Sequence, residues 1–299
     1  MRAAIVITDP SDWTARALLS SFTGIGIDAS FLNFSDLIAC ITPERGSRFR
    51  SSSVDLQELD AILVRDLGRS GTNDVAFRFE TLLALQEQDI PIINPPQAIA
   101  RAANKFATSL ALQKAKVATP KTAVTTSLAE ARAVLRDFGR AVSKPLFGYK
   151  GKDVVLLEDG VEADVSRLEK ILQSEGLVYL QEFIPLESPR DIRAFVVDGQ
   201  LPGAIYRNAP PGQWISNLAR GGRPSACPVS SELQDLAVRA AKAVGAVYCG
   251  VDLLETRSGY AVIEVNGTPS GKGIFEALNI DVTEAIARIV HQNCYLCGR

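Results

Sequence analysis

Apolar positions along the chain recur in two rhythms, and the switches between them outline its elements. In the first ninety residues AAIVIT reads as a strand, WTARALLSSF as an amphipathic helix, AILVRD as a strand, FRFETLLALQEQ as a helix and PIINPP as a last strand. A β-α-β-α-β alternation of this kind predicts a parallel sheet with helices on its faces. The segment SRFRSSSVDLQ has no apolar period and is expected to be a loop. Pro95-Pro96 interrupts helix and ladder alike and marks a first boundary. Beyond it, QAIARAANKFATSLALQKAKV has helical spacing as far as VATP. From TAVTTS through VVLLED short strands alternate with one helix, SLAEARAVLRDFG, and the strand LVYLQEF leads to a second boundary at PLESP. DIRAFVVDGQLPGAIYR predicts a hairpin turning at Asp198-Gly199. SSELQDLAVRAAKAVG predicts a helix with Ser231 and Gln234 as a capping box and Gly245 as a left-handed C-cap. The fold class is α/β passing into α+β, in three lobes spanning 1–95, 96–184 and 185–299.

Composition narrows what those lobes can do. The chain is 46% hydrophobic and 22% charged, with a net charge of −2, which gives no global attraction to nucleic acid or to an acidic membrane. No apolar run is long enough to span a bilayer. The opening MRAAIVITD lacks the longer apolar segment and cleavage site of a secretory signal, so a cytoplasmic protein is expected. Five cysteines, an odd number, argue against a disulfide framework. His291, Cys294 and Cys297 repeat at a spacing of three near the end, a conceivable metal site short of a fourth ligand. His291 is the single histidine, so hydrolases needing a histidine base are excluded unless His291 is that base.

Candidate chemistry begins at GVDLLETRSGYAVIEVNG. Two apolar runs flank a short turn and should pair as a hairpin. With RSG as a three-residue loop, Thr256 faces Tyr260 and Asp252 falls opposite Glu264, with Asn266 on the same face. Two carboxylates about 4 Å apart at an effective dielectric near 20 repel by ~4 kcal/mol. Either one is protonated, or the register differs, or a cation lies between them. With the Asn266 amide they form an all-oxygen set suited to Mg²⁺ or Mn²⁺. The plainer reading has one carboxylate in solvent and Asn266 merely opening a turn. A phosphate cradle favours the cation, because Mg²⁺ held by few protein ligands usually carries phosphates. In AVSKPLFGYKGKDVVLLED, Lys144 ends a strand, and Gly148 and Gly151 loosen a turn in which backbone N–H groups can approach an anion. No Walker A motif is present. Lys105 is a second cationic candidate.

Seven phrases in order cover nearly the whole chain: NPPQAIARAANKFATSLALQKAKVATPKT, VSKPLFGYKGKDVV, YLQEFIP, DIRAFVVDGQ, NLARGG, CGVDLL and VIEVNGTPSGKGI. On these it resembles the ATP-grasp carboxylate–amine ligases, most closely the branch of the ribosomal protein S6 glutamate ligase. The resemblance implies an N-terminal α/β lobe and two lobes that clasp ATP, with Mg²⁺ or Mn²⁺ (two ions). It implies Lys105 and Lys144 on the nucleotide phosphates, backbone groups of Glu182 and Phe183 on the adenine edge and Asp191 on the ribose. Asp252, Glu264 and Asn266 match metal ligands, and Arg207, Asn217 and Arg220 would surround the reacting groups. The implied reaction activates a carboxylate as an acyl phosphate and joins it to an amine. The implied partners are an amino acid, L-glutamate foremost, and a carboxylate acceptor, in a homo-oligomer (dimer or tetramer). Acceptors within the family's range are a pterin- or furan-type one-carbon coenzyme, a protein C-terminus or an amino-group carrier protein. Other readings are a dipeptide-forming ligase and a nucleotide-binding regulator without turnover. Three departures bear on substrate rather than ATP: Asn104 for an aspartate, Ile215 for an arginine, and Thr268-Pro269-Ser270 with Lys272 after the metal asparagine.

Overall fold

The computed structural model describes residues 1–44, 46–68, 71–148 and 151–296, and side chains as far as 292. The N-terminal lobe contains β1 (Arg2–Val6), α1 (Trp13–Gly24), β2 (Asp28–Leu32), β3 (Ile38–Thr42), β4 (Gly46–Ser51), β5 (Val54–Asp55), β6 (Ala61–Val64), α2 (Thr72–Glu87) and β7 (Ile92–Ile93). Its parallel sheet runs β2-β1-β6-β7, as the alternation predicts. The rhythm lacked β2, an edge strand whose half-exposed residues break the apolar pattern. The expected loop over 47–57 is instead part of an antiparallel β3-β4-β5 sheet. In β4 the inward positions are Phe49 and Ser51, and exposed arginines alternate with them. Buried Ser51 donates to Asn33 O and shares a hydrogen bond with Asp36, both 2.7 Å. A period of two is present there, but one of its inward residues is polar.

Two helices follow, α3 (Pro96–Ala103) and α4 (Lys105–Lys114), where spacing predicted one. Asn104 makes the break. Its backbone is extended, and its side chain accepts from Ala107 N at 3.1 Å, so it caps α4. Pro96 opens α3 instead of blocking it, because the first helical residue needs no N–H partner. The central lobe comprises β8 (Thr122–Thr125), α5 (Leu128–Phe138), β9 (Arg140–Ser143), β10 (Val155–Glu158), α6 (Glu162–Glu175) and β11 (Val178–Glu182). Its antiparallel sheet is ordered β10-β9-β11-β8. One face packs Ala141, Leu157, Val178 and Leu180 against Ala131, Leu135 and Leu168 of α5 and α6. The opposite face carries Thr122, Val142, Tyr179 and Gln181.

The last lobe holds β12 (Arg190–Val197), β13 (Gln200–Asn208), β14 (Arg223–Ala226), α7 (Ser231–Val244), β15 (Tyr248–Thr256), β16 (Gly259–Asn266), α8 (Lys272–Leu278) and α9 (Val282–Leu296). The sheet order is β14-β13-β12-β15-β16, and the β12–β13 hairpin turns at Asp198-Gly199 with both φ angles positive, as expected. α7 lays Leu233, Leu236, Ala237, Ala240 and Val244 on one face of this sheet. Ser230, one residue earlier than expected, is its cap, accepting from Leu233 N at 3.1 Å; Gly245 closes the helix in the left-handed conformation. Leu112 and Val117, near and after the end of α4, share this core, so the helices after residue 95 pack on the last lobe, and the central sheet begins only after Lys121. The sheet's other face packs Phe195, Val197 and Ile205 with Ile274, Ile286, Ile5 and Leu18, joining the first and last lobes. Burial of each such side chain contributes about 1.5–3 kcal/mol. No helix among the described residues is long and apolar enough to cross a membrane. His291 falls on α9, whereas the side chain of Cys294 and all of Cys297 lie outside the described residues.

One buried amide ties the lobes at the point that matters for β15 and β16. Asn94 Nδ2 donates to Tyr248 O (2.7 Å) and Gly267 O (2.6 Å), while Oδ1 accepts from Val247 N (2.7 Å) and Tyr248 N (3.0 Å). Asn94→Ala would leave buried peptide groups unmatched, so urea unfolding should show a loss of about 3 kcal/mol or more. Ser230→Ala should cost only about 1 kcal/mol by the same measurement.

Candidate active site

β12 sets the pattern of the site. Its odd residues face away from α7, and along that face they change from Val197 and Phe195 to Arg193 and Asp191. Register places Asp191 opposite Arg207 on β13 and Arg193 opposite Asp252 on β15. Cross-strand neighbours of opposite charge therefore alternate around a square. Arg207 binds Asp191 through both Nε and Nη2 (2.6 and 2.5 Å) and reaches diagonally to Asp252 Oδ2 at 2.9 Å. Arg193 binds Asp252 through Nε and, at 3.0 Å, through Nη2. Burial alone would raise the Asp252 pKa, but the two guanidinium groups outweigh it and hold the carboxyl below its ordinary range. Arg207 is shifted up because Asp252 and Asp191 overcome the desolvation that opposes its charge.

Asp252 does face Glu264, although by a different route from the simple count. The turn has two residues, Arg257 and Ser258, and Thr256 pairs with Gly259. A bulge that leaves Ile263 unmatched between Val262 and Glu264 restores the register. The repulsion expected between the carboxylates is met by the protein's own cations. Asp252 has its arginines, and Glu264 lies 3.7 Å from Lys105 Nζ. Lys105 is the first residue of α4, buried because Asn104 breaks the helix before it, and its ammonium also donates to Gly148 O at 3.4 Å. Lys144, just past β9, donates to Gln181 Oε1 at 2.7 Å. Burial lowers its pKa below that of an ordinary lysine, with Glu264 opposing the shift.

The donor set fits a hard divalent cation. Glu264 keeps 32% of its side chain accessible. Asn266 Oδ1 accepts from Thr268 N at 3.0 Å and retains a second lone pair. Asp252 completes the set only by sharing or exchanging an arginine. Among the described residues no three carboxylate, thiolate or imidazole side chains gather at one point, so such a centre would consist of two carboxylates and an amide.

Above the cleft two flaps meet. Arg220 Nη1 donates to Gly151 O at 3.3 Å, and a Cβ on Gly151 would lie 2.8 Å from Asn217 Oδ1. The link between Gly148 and Gly151 lies outside the described residues. At the hinge, Glu182 N donates to Lys121 O (2.8 Å) and Phe183 N to Arg140 O (3.0 Å). These two N–H groups are spent within the sheet, so an adenine edge there would meet other groups of the strand end. The Phe183 ring lies beneath the Arg140 guanidinium, 4.4 Å from its centroid, with Trp214 edge-on at 6.0 Å. Both Asp191 oxygens are committed to Arg207, so a ribose would have to compete for them. Lys272 is exposed and pairs with Glu276 at 3.5 Å. Arg193 was missed by sequence reasoning. Its signal was the i, i+2 spacing from Asp191 on a strand that is otherwise apolar.

Comparison with known proteins identifies the family. The model of the RimK-like ATP-grasp domain matches residues 102–290. The tetrahydromethanopterin:alpha-L-glutamate ligase of Methanosarcina acetivorans is 40% identical, with 95% of this chain and 97% of that protein covered. The Methanocaldococcus jannaschii protein of the same name is 36% identical, with 96% and 97% covered. Among solved structures, the ATP-grasp ligase PsnB, complexed with a phosphomimetic variant of its minimal precursor, Mg and ADP, superposes with a TM-score of 0.75. It is 20% identical and covers 98% of both chains, a likeness of fold. The chain belongs to the RimK-like ATP-grasp family. It is an ATP-using ligase.

Gly151 has φ +67° and a neighbour where a Cβ would stand. Gly151→Ala should therefore part the flaps and lower kcat/KM about tenfold or more. Alanine at a positive φ also costs about 1–2 kcal/mol, so the unfolding temperature should fall by only a few degrees while activity falls far more.

Proposed function

We propose that the enzyme joins L-glutamate to a carboxylate of a tetrahydropterin-type one-carbon coenzyme. The observation that carries this reading is the 40% identity, along nearly the full length of both chains, with a ligase that glutamylates tetrahydromethanopterin. The cleft suits the chemistry, since its cations serve a polyanion and no histidine nucleophile or base is required.

A carboxylate resists attack by an amine, so it must first be activated. An acceptor carboxylate oxygen attacks the γ-phosphorus of ATP, ADP leaves, and an acyl phosphate forms. The glutamate amine then attacks the acyl carbon, and the tetrahedral intermediate expels inorganic phosphate. Lys105 and Lys144 hold the phosphate chain, and Arg207 and Arg220 face the charge that grows on the transferred group. Asn217 offers its amide to the reacting oxygens. Preorganised charges of this kind supply most of the catalysis in phosphoryl transfer. Asp252, Glu264 and Asn266 would hold Mg²⁺ or Mn²⁺, which adds Lewis-acid polarisation of the phosphates when bound. Asp191 acts here through Arg207, fixing the plane of its guanidinium.

The test is ADP release in the presence of Mg²⁺, L-glutamate and tetrahydromethanopterin, with mass spectrometry of the pterin. Release should need both substrates, and the pterin should gain one glutamyl group. Equal turnover with other amino acids, or none with any pterin, would overturn the substrate assignment. Glu264→Ala should lower turnover by about 100-fold or more. Its side chain lies in no apolar core, and the lost ion pair with buried Lys105 is offset by relief of the repulsion from Asp252, so the fold should stay intact.

A further inference from the structure

Gln181 is a polar residue buried one position before the end of β11, 3% exposed, on the cleft face of the central sheet. Its register partners are Thr122 on β8 and Val142 on β9, and Lys144 lies one step along, opposite Tyr179. A buried amide is costly unless all its groups are matched, and here the matching has a direction. Lys144 can only donate, so the amide oxygen must face it, at 2.7 Å. The Nε2 group then faces Thr122 Oγ1 and Tyr179 Oη, each at 3.4 Å. Tyr179 Oη is in turn 3.0 Å from Ser109 Oγ on α4. Lys105, whose ammonium reaches Glu264, opens that same helix.

We propose that Gln181 is a positioning residue for ATP, aiming the Lys144 ammonium at the phosphate chain through a hydroxyl network that fixes the orientation of its own amide. The inference rests on Lys144 serving the nucleotide in the reaction above. A neutral acceptor suits this role, because it localises the flexible lysine while leaving its charge to the phosphates. A carboxylate at the same place would hold the lysine equally well and cancel that charge.

This separates two variants. Gln181→Glu keeps an oxygen for Lys144. On its other side the Thr122 hydroxyl donates to Pro120 O at 3.1 Å and the Tyr179 hydroxyl lies 3.0 Å from Ser109 Oγ, so each must turn from that partner to donate to the new carboxylate. This variant should weaken ATP binding by calorimetry about 100-fold, with adenosine binding unchanged and the unfolding temperature lowered by only about 2–4 °C for the turned hydroxyls. Gln181→Leu frees the lysine and should weaken ATP about tenfold, again sparing adenosine. In turnover, KM for ATP should rise more than kcat falls. Equal losses for ATP and adenosine would mark Gln181 as merely structural, and unaltered ATP binding in Gln181→Glu would remove it from the site; either result overturns the proposal. Should Gln181→Leu not fold, Gln181→Glu decides alone. Wild-type protein that binds ATP no more tightly than adenosine would overturn this inference and the nucleotide role of Lys144 together. A failure confined to the pterin assay would leave the ATP measurements to stand.

Discussion

Two carboxylates facing one another across β15 and β16 are the constraint around which the last lobe is arranged. Unrelieved, their repulsion would open the hairpin or protonate one of them. The relief comes from three directions. Arg193 is supplied by the neighbouring strand, Arg207 by the strand beyond it, and Lys105 by the first turn of α4. Each of these cations is placed by a separate local rule: cross-strand register for the arginines, and an asparagine cap for the lysine. The centre is held in tension between its own acids and its own bases. A polyanion can therefore enter by drawing on bases that already surround the cleft.

The same loop that leaves Asn266 is fastened from the far side by the N-terminal lobe. Asn94 holds Gly267, Arg65 donates to Pro269 O at 2.7 Å, and the Thr14 hydroxyl accepts from Gly271 N at 3.1 Å. These contacts come from the carboxyl end of the parallel sheet and the first turn of α1, where open α/β sheets commonly receive ligands. The first lobe is more than a support for the core it shares with α8 and α9. It sets where β16 ends, and so how far Asn266 stands from Asp252. The Thr-Pro-Ser departure in this loop thus touches the first lobe as well as the side of the loop that carries Asn266.

Much of this was legible in the sequence because opposite charges and apolar residues alternate cleanly where strands are central. The β12–β13 hairpin, α7 and the facing of Asp252 and Glu264 all followed from period and turn chemistry. The last of these was reached through two deviations that cancel. The turn is one residue shorter than counted, and a bulge at Ile263 restores the difference. A bulge has no strong residue signature, so its position could not be read. Where a polar residue occupies an inward site, as Ser51 does, the alternation became invisible and a strand looked like a loop. Where a side chain caps the backbone within an apolar run, as Asn104 does, two helices looked like one.

Asp191 shows why a residue's presence in a motif does not settle what it does. Its place at the head of DIRAFVVDGQ made it prominent, and family likeness assigned it to a ribose. Yet it is buried, and both its oxygens lie on Arg207. A buried guanidinium without such a partner would be free to turn toward either Asp252 or the cleft. With one edge fixed by Asp191, it presents a single Nη2 to Asp252, and its orientation is no longer a variable. Gln181 stands in the same relation to Lys144, with one difference. Arg207 is kept charged by the acids it touches, whereas Lys144 is held by a neutral amide. The cleft thus contains cations tied to protein carboxylates, such as Arg207 and Lys105, and one, Lys144, tied to a neutral amide. That division is what would let an acid-rich strand pair and a phosphate chain share one cleft.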